Sequence, residues 1–225
     1  MTGSKLDSML RYAITDRARF PGNEESRQAA LLAQAAHLAD AGVEFIQLRE
    51  KDLSAGELAD LARRLMEVLH AQNANSAHRS APKLLINSRA DVAVAAQADG
   101  VHLTSSLDAL TPAQIRALYA SAGLPEPVVS VSCHSLADVA RARANAASCI
   151  LFGPVFEKVV AEERATEGFV GDKKISDGSG LDLLAAAVRA AAPIPVFALG
   201  GISHENAPAC LAAGAAGIAA IRLFL

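Results

Sequence analysis

Tryptophan is absent from this 225-residue chain and aromatic residues make up only 4% of it, so it lacks the stacking platforms that hold single-stranded nucleic acid. An excess of either charge is also missing. The formal net charge is −3 and no block of Lys and Arg stands out, which leaves no electrostatic case for a nucleic-acid or anionic-membrane partner. The apolar stretch Leu183–Ala192 is interrupted by Arg189 and is too short to span a bilayer. Met1–Leu10 lacks an apolar run followed by a small-residue cleavage site, so no secretory signal is expected. Cysteine is sparse: Cys133, Cys149 and Cys210 sit in apolar runs without metal-ligand spacing. Reduced, mostly buried thiols and a cytoplasmic location are the expectation. No strand candidate is followed directly by GxGxxG and no GxSxG elbow occurs, which removes the local marks of a dinucleotide fold and of a serine hydrolase.

What is present is aliphatic. Hydrophobic residues form 52% of the chain against 20% charged, enough for a substantial core. Short β-type runs occur at Tyr12–Thr15, Phe45–Leu48, Leu84–Asn87, Gly100–Leu103, Val128–Ser132, Ile150–Gly153, Val196–Gly200 and Ile218–Ile221. Between them lie helical patterns near Glu24–Ala41, Ala55–His70, Ala90–Ala98, Pro112–Ala122, Leu136–Ala146, Leu181–Ala192 and Glu205–Ala213. Ser54, Thr111, Ser135 and Ser203 stand as N-caps, and Gly42 and Gly214 as left-handed C-terminal turns. Eight strands with seven crossover helices predict one parallel α/β unit, best closed as a single (β/α)8 TIM barrel over residues 1–225. A doubly wound open sheet is the alternative. The chain stops after the eighth strand, so the final helix is expected to be short or missing. Gln72–Pro82 reads as a solvated loop, and the charged stretch Glu157–Gly178 as a long functional or irregular one.

In such a barrel ligands sit at the C-terminal ends of the strands. Gln47, Arg49 and Lys51 alternate along the second strand, so they are expected on one, barrel-facing side, with Leu48 and Glu50 on the other. Polar side chains there need a ligand or an internal ion-pair network. Ser132 and His134 end the fifth strand on one side, and an imidazole there suits general acid–base work. His102 reads as a buried, hydrogen-bonded residue, and a Ser–His nucleophile pair is disfavoured because no third residue is placed to orient the His. Leu199-Gly200-Gly201-Ile202-Ser203 ends strand seven and enters a helix, while Ile221-Arg222 ends strand eight. Glycines let backbone N–H groups approach an anion, so Gly200, Gly201, Ile221 and Arg222 form a candidate phosphate grip. A tight turn is the plainer reading of the glycine pair.

The runs Ala13-Ile14-Thr15-Asp16, Gln47-x-Arg49-x-Lys51, Ile86-Asn87, Asp99-Gly100-Val101-His102-Leu103, Val131-Ser132-Cys133-His134-Ser135, Phe152-Gly153-Pro154-Val155-Phe156 and Leu199-Gly200-Gly201-Ile202 resemble, in order and spacing, the thiamine phosphate synthase/TenI superfamily. The resemblance implies the (β/α)8 fold, substrate contacts at Gln47, Arg49, Lys51, Asn87 and Ser132, and a homodimer as one assembly. Its synthases join a pyrimidine diphosphate to a thiazole phosphate with Mg²⁺ on the diphosphate. Their pattern has a metal-binding Asp where this chain has Ser88, and a second where Thr104-Ser105-Ser106-Leu107 stands, unless Asp108 substitutes. Their Thr/Lys diphosphate clamp is replaced by Glu157-Lys158-Val159-Val160-Ala161.

The departures make the thiazole tautomerase branch the leading expectation. In that reading the enzyme needs no metal or cofactor, and His134 moves a proton in a carboxythiazole phosphate. A Mg²⁺-dependent synthase is the alternative, and a non-catalytic binder of thiazole or thiamin phosphate is the third reading. The family usually has Ser where Arg222 stands, so the grip gains a cation.

Overall fold

Along each strand the residues alternate between two apolar environments, because successive side chains point to opposite faces. The computed structural model describes residues 9–75, 81–160, 174–176 and 178–225. Its strands are β1 (Leu10–Ile14), β2 (Phe45–Leu48), β3 (Lys83–Asn87), β4 (Gly100–Leu103), β5 (Val128–Cys133), β6 (Cys149–Phe152), β7 (Lys158–Val160), β8 (Lys174–Ser176), β9 (Val196–Leu199) and β10 (Gly217–Ala220). The helices are α1 (Glu24–Asp40), α2 (Ala55–Asn75), α3 (Ala90–Ala95), α4 (Pro112–Ser121), α5 (Leu136–Ala144), α6 (Gly180–Ala191) and α7 (Ala207–Ala212). All strands except β7 and β8 form one closed parallel barrel in the order β1-β10-β9-β6-β5-β4-β3-β2. The single TIM barrel expected from the sequence is the fold, and the open sheet is excluded.

Inward positions form one cluster: Tyr12, Ile14, Leu85, Cys149, Leu151, Phe197 and Ala219. Outward positions such as Ala13, Ile46, Leu84, Ile86, Val129, Cys133 and Phe152 pack under the helices. Three aromatic rings meet inside the barrel. Tyr12 stacks on Phe45 at 5.6 Å, and Phe197 meets both rings edge-on at 5.6 and 5.7 Å. All three cysteines are free and buried.

The helix ends follow the sequence chemistry. Thr111 and Ser135 each form a capping box, with Gln114 and Asp138 as the reciprocal partners. Asn23, not singled out from the sequence, caps α1 through Ser26 N–H. Gly42 and Gly214 take left-handed φ of +76° and +97°, as C-terminal turns require.

Three expectations need correction. Helix α2 continues to Asn75 rather than ending at His70, because Gln, Ala and Asn tolerate helical backbone at modest cost; residues 76–80 lie outside the described set. The stretch Glu157–Gly178 is not wholly a loop: β7 and β8 pair antiparallel, Val159 opposite Ile175, with residues 161–173 outside the described set. Helix α7 starts at Ala207, and Ser203 instead anchors a turn with Asn206. After β10 comes a single 3-10 turn, Arg222–Phe224. Among the described residues no helix is long and apolar enough to cross a membrane.

Closure rests on close strand approach at glycine. A Cβ on Gly217 would lie 2.0 Å from the Leu10 carbonyl oxygen, on the β1–β10 seam. Gly217→Ala therefore forces the seam apart and is expected to lower unfolding free energy by about 3 kcal/mol, the upper range of overpacking costs. Urea unfolding checks this, and an unchanged midpoint would contradict the close approach.

Candidate functional site

Polar side chains gather where the strands end. Gln47 is 1% exposed and its Nε2 donates to Asn87 Oδ1 at 2.8 Å. Its Oε1 is buried and has no hydrogen-bond partner among the described residues. A buried, unmet amide oxygen carries a desolvation penalty of roughly 1–3 kcal/mol, so this atom stands one hydrogen-bond donor short among the described residues.

Strand β2 ends at Leu48, so the alternation expected through Lys51 does not continue. Arg49 is half-buried and Lys51 exposed. Glu50, placed on the opposite face by sequence alternation, is instead the buried charge of this segment, 5% exposed. It accepts from Thr15 Oγ1 at 2.6 Å, from Arg17 Nη1 at 3.0 Å and from the Arg17 backbone N–H. Arg17, itself 4% exposed, also donates to Asp52 at 2.7 Å and to Glu24 at 2.8 Å. The internal ion-pair network weighed for this strand exists, but its members are Glu50, Arg17, Asp52 and Glu24. Burial pushes the Glu50 carboxyl above its ordinary range, and its bonds to Thr15 and Arg17 oppose that only in part. Thr15 Oγ1 also accepts from the Arg49 backbone N–H at 3.0 Å, so the network positions the residue that carries the mouth's half-buried cation.

A second polar set runs inside the barrel. His102 is 4% exposed; its Nδ1 lies 2.8 Å from Ser130 Oγ and its Nε2 2.9 Å from Ser132 Oγ. Ser130 Oγ is also 2.9 Å from Tyr12 Oη. Burial, aided by the charge of Arg49, lowers the His102 pKa to about 3, so this ring is neutral at physiological pH. Ser132 thus serves His102 and not His134.

His134 is exposed just after β5, beside the buried, outward-facing Cys133. Its Nδ1 bonds the Gly153 carbonyl oxygen, and its backbone N–H donates to Asp138 Oδ2 at 3.0 Å. A carbonyl only accepts, so Nδ1 holds the proton and the neutral ring keeps its lone pair on Nε2. The orienting group that the sequence did not reveal is a main-chain oxygen.

Gly200 and Gly201 both take left-handed φ, +92° and +66°. A Cβ on Gly200 would meet Pro154 Cα at 2.6 Å, and one on Gly201 the Glu157 carbonyl oxygen at 2.7 Å. Packing of this turn against residues 153–157 therefore demands the glycines by itself, as the plainer reading held. No helix starts there, since α7 begins only at Ala207 and has 6 residues. Ile221 is half-buried and Arg222 exposed.

Mg²⁺, implied by the synthase resemblance, finds no built carboxylate pair among the described residues. Glu50 is bound to Arg17, Asp138 caps α5 and pairs with Arg141 at 2.6 Å, and Asp16 pairs with Arg19 at 2.7 Å. Among the described residues no group of three or more His, Cys, Asp or Glu side chains is arranged to hold a metal. Ser88 and the exposed Asp108 do not change that. The described side chains do not form a set that fits a protein-held divalent ion.

The residues that sequence reasoning missed are Arg17, Thr15 and Glu50 as a network, and Tyr12 and Ser130 inside. Period-two counting was signal enough for the last two, which precede Ile14 and Ser132 by two positions each.

A family model described as thiamine monophosphate synthase matches residues 11–224. A putative thiamine-phosphate synthase from Geobacter sulfurreducens is 40% identical over 218 residues, covering 97% of this chain and 87% of its own. A thiamine-phosphate synthase from Caldanaerobacter subterraneus subsp. tengcongensis is 32% identical, covering 96% and 86%. Among solved structures, a thiamine phosphate pyrophosphorylase from Pyrococcus furiosus superposes with a TM-score of 0.68 at 24% identity, covering 95% of this chain and 86% of that one, which speaks to fold alone.

The neutral His102 makes stability depend on pH. Its folded pKa of about 3 lies below the ordinary 6.5. Between these values the unfolded chain holds a proton that the folded chain does not. The His102 contribution is thus complete above pH 6.5 and erodes on acidification by up to about 1.4 kcal/mol per pH unit. Urea unfolding from pH 7 to 4 is expected to show a shallower acid loss for His102→Gln than for the parent; parallel slopes would rule out a neutral His102.

Proposed function

The chain belongs to the thiamine monophosphate synthase family, and on that premise we propose that it is a transferase of thiamin biosynthesis, joining a pyrimidine diphosphate to a thiazole phosphate. This reverses the order of preference that the missing carboxylates gave to the sequence alone. The observation that carries it is the unmet Gln47 Oε1, buried beside Asn87. An aminopyrimidine brings an N–H donor to such an atom, whereas a carboxythiazole phosphate has none in either isomer. Arg49 and Lys51, following β2, supply positive charge for phosphoryl oxygens. No step is assigned to a protein-held metal.

A second reading keeps the tautomerase. Its specific support is His134: an exposed imidazole with Nδ1 tied to Gly153 and its lone pair on Nε2 can take a proton from one carbon and return it to another. Ser88 and Thr104–Leu107, where the synthase pattern has carboxylates, point the same way.

One pair of assays separates the readings. Purified protein with both substrate halves and Mg²⁺ is expected to form thiamin phosphate, and Gln47→Leu to raise KM for the pyrimidine diphosphate about tenfold, the loss of one hydrogen bond of ~1.4 kcal/mol. KM for the thiazole phosphate should move far less. Isomerisation in EDTA that disappears in His134→Ala, with no coupling, would replace the transferase by the tautomerase. Calorimetric binding of thiazole phosphate without either turnover would leave a ligand-binding protein.

A further inference from the structure

The inner polar set is a chain of four groups with a blind end. Tyr12 Oη, Ser130 Oγ, the two His102 nitrogens and Ser132 Oγ are linked by contacts of 2.9, 2.8 and 2.9 Å. Tyr12 and Ser130 are both 0% exposed, while Ser132 is half-buried at the barrel mouth. We propose that Ser130, backed by Tyr12, is a positioning residue that acts through His102 to make the Ser132 hydroxyl a hydrogen-bond donor toward the ligand. The proposed function enters only in saying what the ligand is.

The reasoning is a count of hydrogens. A neutral imidazole has one N–H and one bare nitrogen, and each hydroxyl has one hydrogen to give. The chain therefore has two self-consistent directions. In the first, Tyr12 O–H donates to Ser130, Ser130 to His102 Nδ1, and His102 Nε2–H to Ser132, whose own hydrogen is left to point outward. In the second, Ser132 donates inward to Nε2, Nδ1–H donates to Ser130, and Ser130 donates to Tyr12. The Tyr12 hydrogen then has nowhere to go. Its surroundings are the rings of Phe45 and Phe197 and the Cys149 thiol, a weak acceptor. Among the described residues Ser130 is the one hydrogen-bond partner given to Tyr12 Oη. A buried, unmet hydroxyl favours the first direction by roughly ten- to hundredfold.

The direction has a chemical consequence. With Nε2–H donating to it, Ser132 Oγ has one acceptor lone pair occupied and its hydrogen available at the mouth. That hydrogen seeks an acceptor atom such as a phosphoryl or carboxylate oxygen or a bare ring nitrogen. Gln47 Oε1 is the opposite kind of group, an acceptor without a donor. The mouth therefore presents one committed donor and one committed acceptor, which discriminates ligands by the order of their polar atoms.

The test reads the tautomer directly. In full-length protein with ¹⁵N-labelled histidine, His102 is assigned among the 6 histidines by comparison with His102→Gln. At pH 7 the parent is expected to show Nε2 protonated and Nδ1 bare. Tyr12→Phe keeps a blind Ser130 hydroxyl and is expected to keep that tautomer. Ser130→Ala removes the bias, so the Nδ1–H form appears, and KM in the coupling assay rises about tenfold with kcat less affected. Two results overturn the proposal: an Nδ1–H tautomer in the parent, or a Ser130→Ala protein whose His102 tautomer is unmoved. Should neither coupling nor isomerisation occur in the parent, the proposed function fails while the spectra still decide the role of Ser130.

Discussion

Strand β1 hydrogen-bonds to β2 on one edge and to β10 on the other, and this closure governs everything else in the molecule. A closed parallel barrel of this size has an interior just wide enough for side chains. Each inward residue must then either pack or find a partner. Seven buried positions, led by Tyr12 and Phe197, and the partly buried residues against them solve this with apolar contact. Gln47, Asn87, His102, Ser130 and Ser132 solve it with hydrogen bonds among themselves and to Tyr12. One atom of that set, Gln47 Oε1, is left over without a partner among the described residues, and the proposed function rests on it.

The Arg17–Glu50 pair acts at the next level. A buried ion pair roughly breaks even against its desolvation cost, so its contribution is better sought in geometry than in stability. It ties the turn after β1 to the segment after β2, and Thr15 carries the connection to the Arg49 main chain. Arg49 then has a fixed backbone from which to reach the mouth. Asp52 and Glu24, both more exposed, orient the other edges of the guanidinium. Charge that looked like an alternating strand is therefore divided: Glu50 is buried and structural, Arg49 is half-buried at the mouth and Lys51 is exposed.

Most of the barrel was legible because it is written in period. Strands two and four begin and end where the apolar alternation places them, and the capping residues at 111 and 135 act as their chemistry dictates. The site was legible only where that period persisted. Gln47 points inward as counted, but β2 stops at Leu48, and past a strand end the alternation no longer assigns faces; Glu50 was misplaced for that reason. The orientation of His134 escaped because its partner is the main-chain oxygen of Gly153, 19 residues away, which no residue type announces. Gly200 and Gly201 show the opposite difficulty. Their pattern fits an anion grip, yet contacts with Pro154 and Glu157 already account for both glycines.

The tension between the two enzymatic readings is a tension between charge and hydrogen bonding. A diphosphate is the more demanding ligand electrostatically, and where the synthase pattern has its two metal carboxylates this chain has Ser88 and the run Thr104–Leu107. Monophosphate chemistry would ask less of this mouth. Hydrogen bonding points the other way, because on the proposed reading an aminopyrimidine supplies the N–H that the Gln47 oxygen lacks and a thiazole phosphate does not. The second consideration weighs more here. Charge on a ligand can be met by exposed cations such as Lys51 or by solvent at an open mouth, whereas a buried acceptor such as Gln47 Oε1 needs a donor placed directly against it. The atom with the fewest alternatives is the better guide to what the barrel was built to hold.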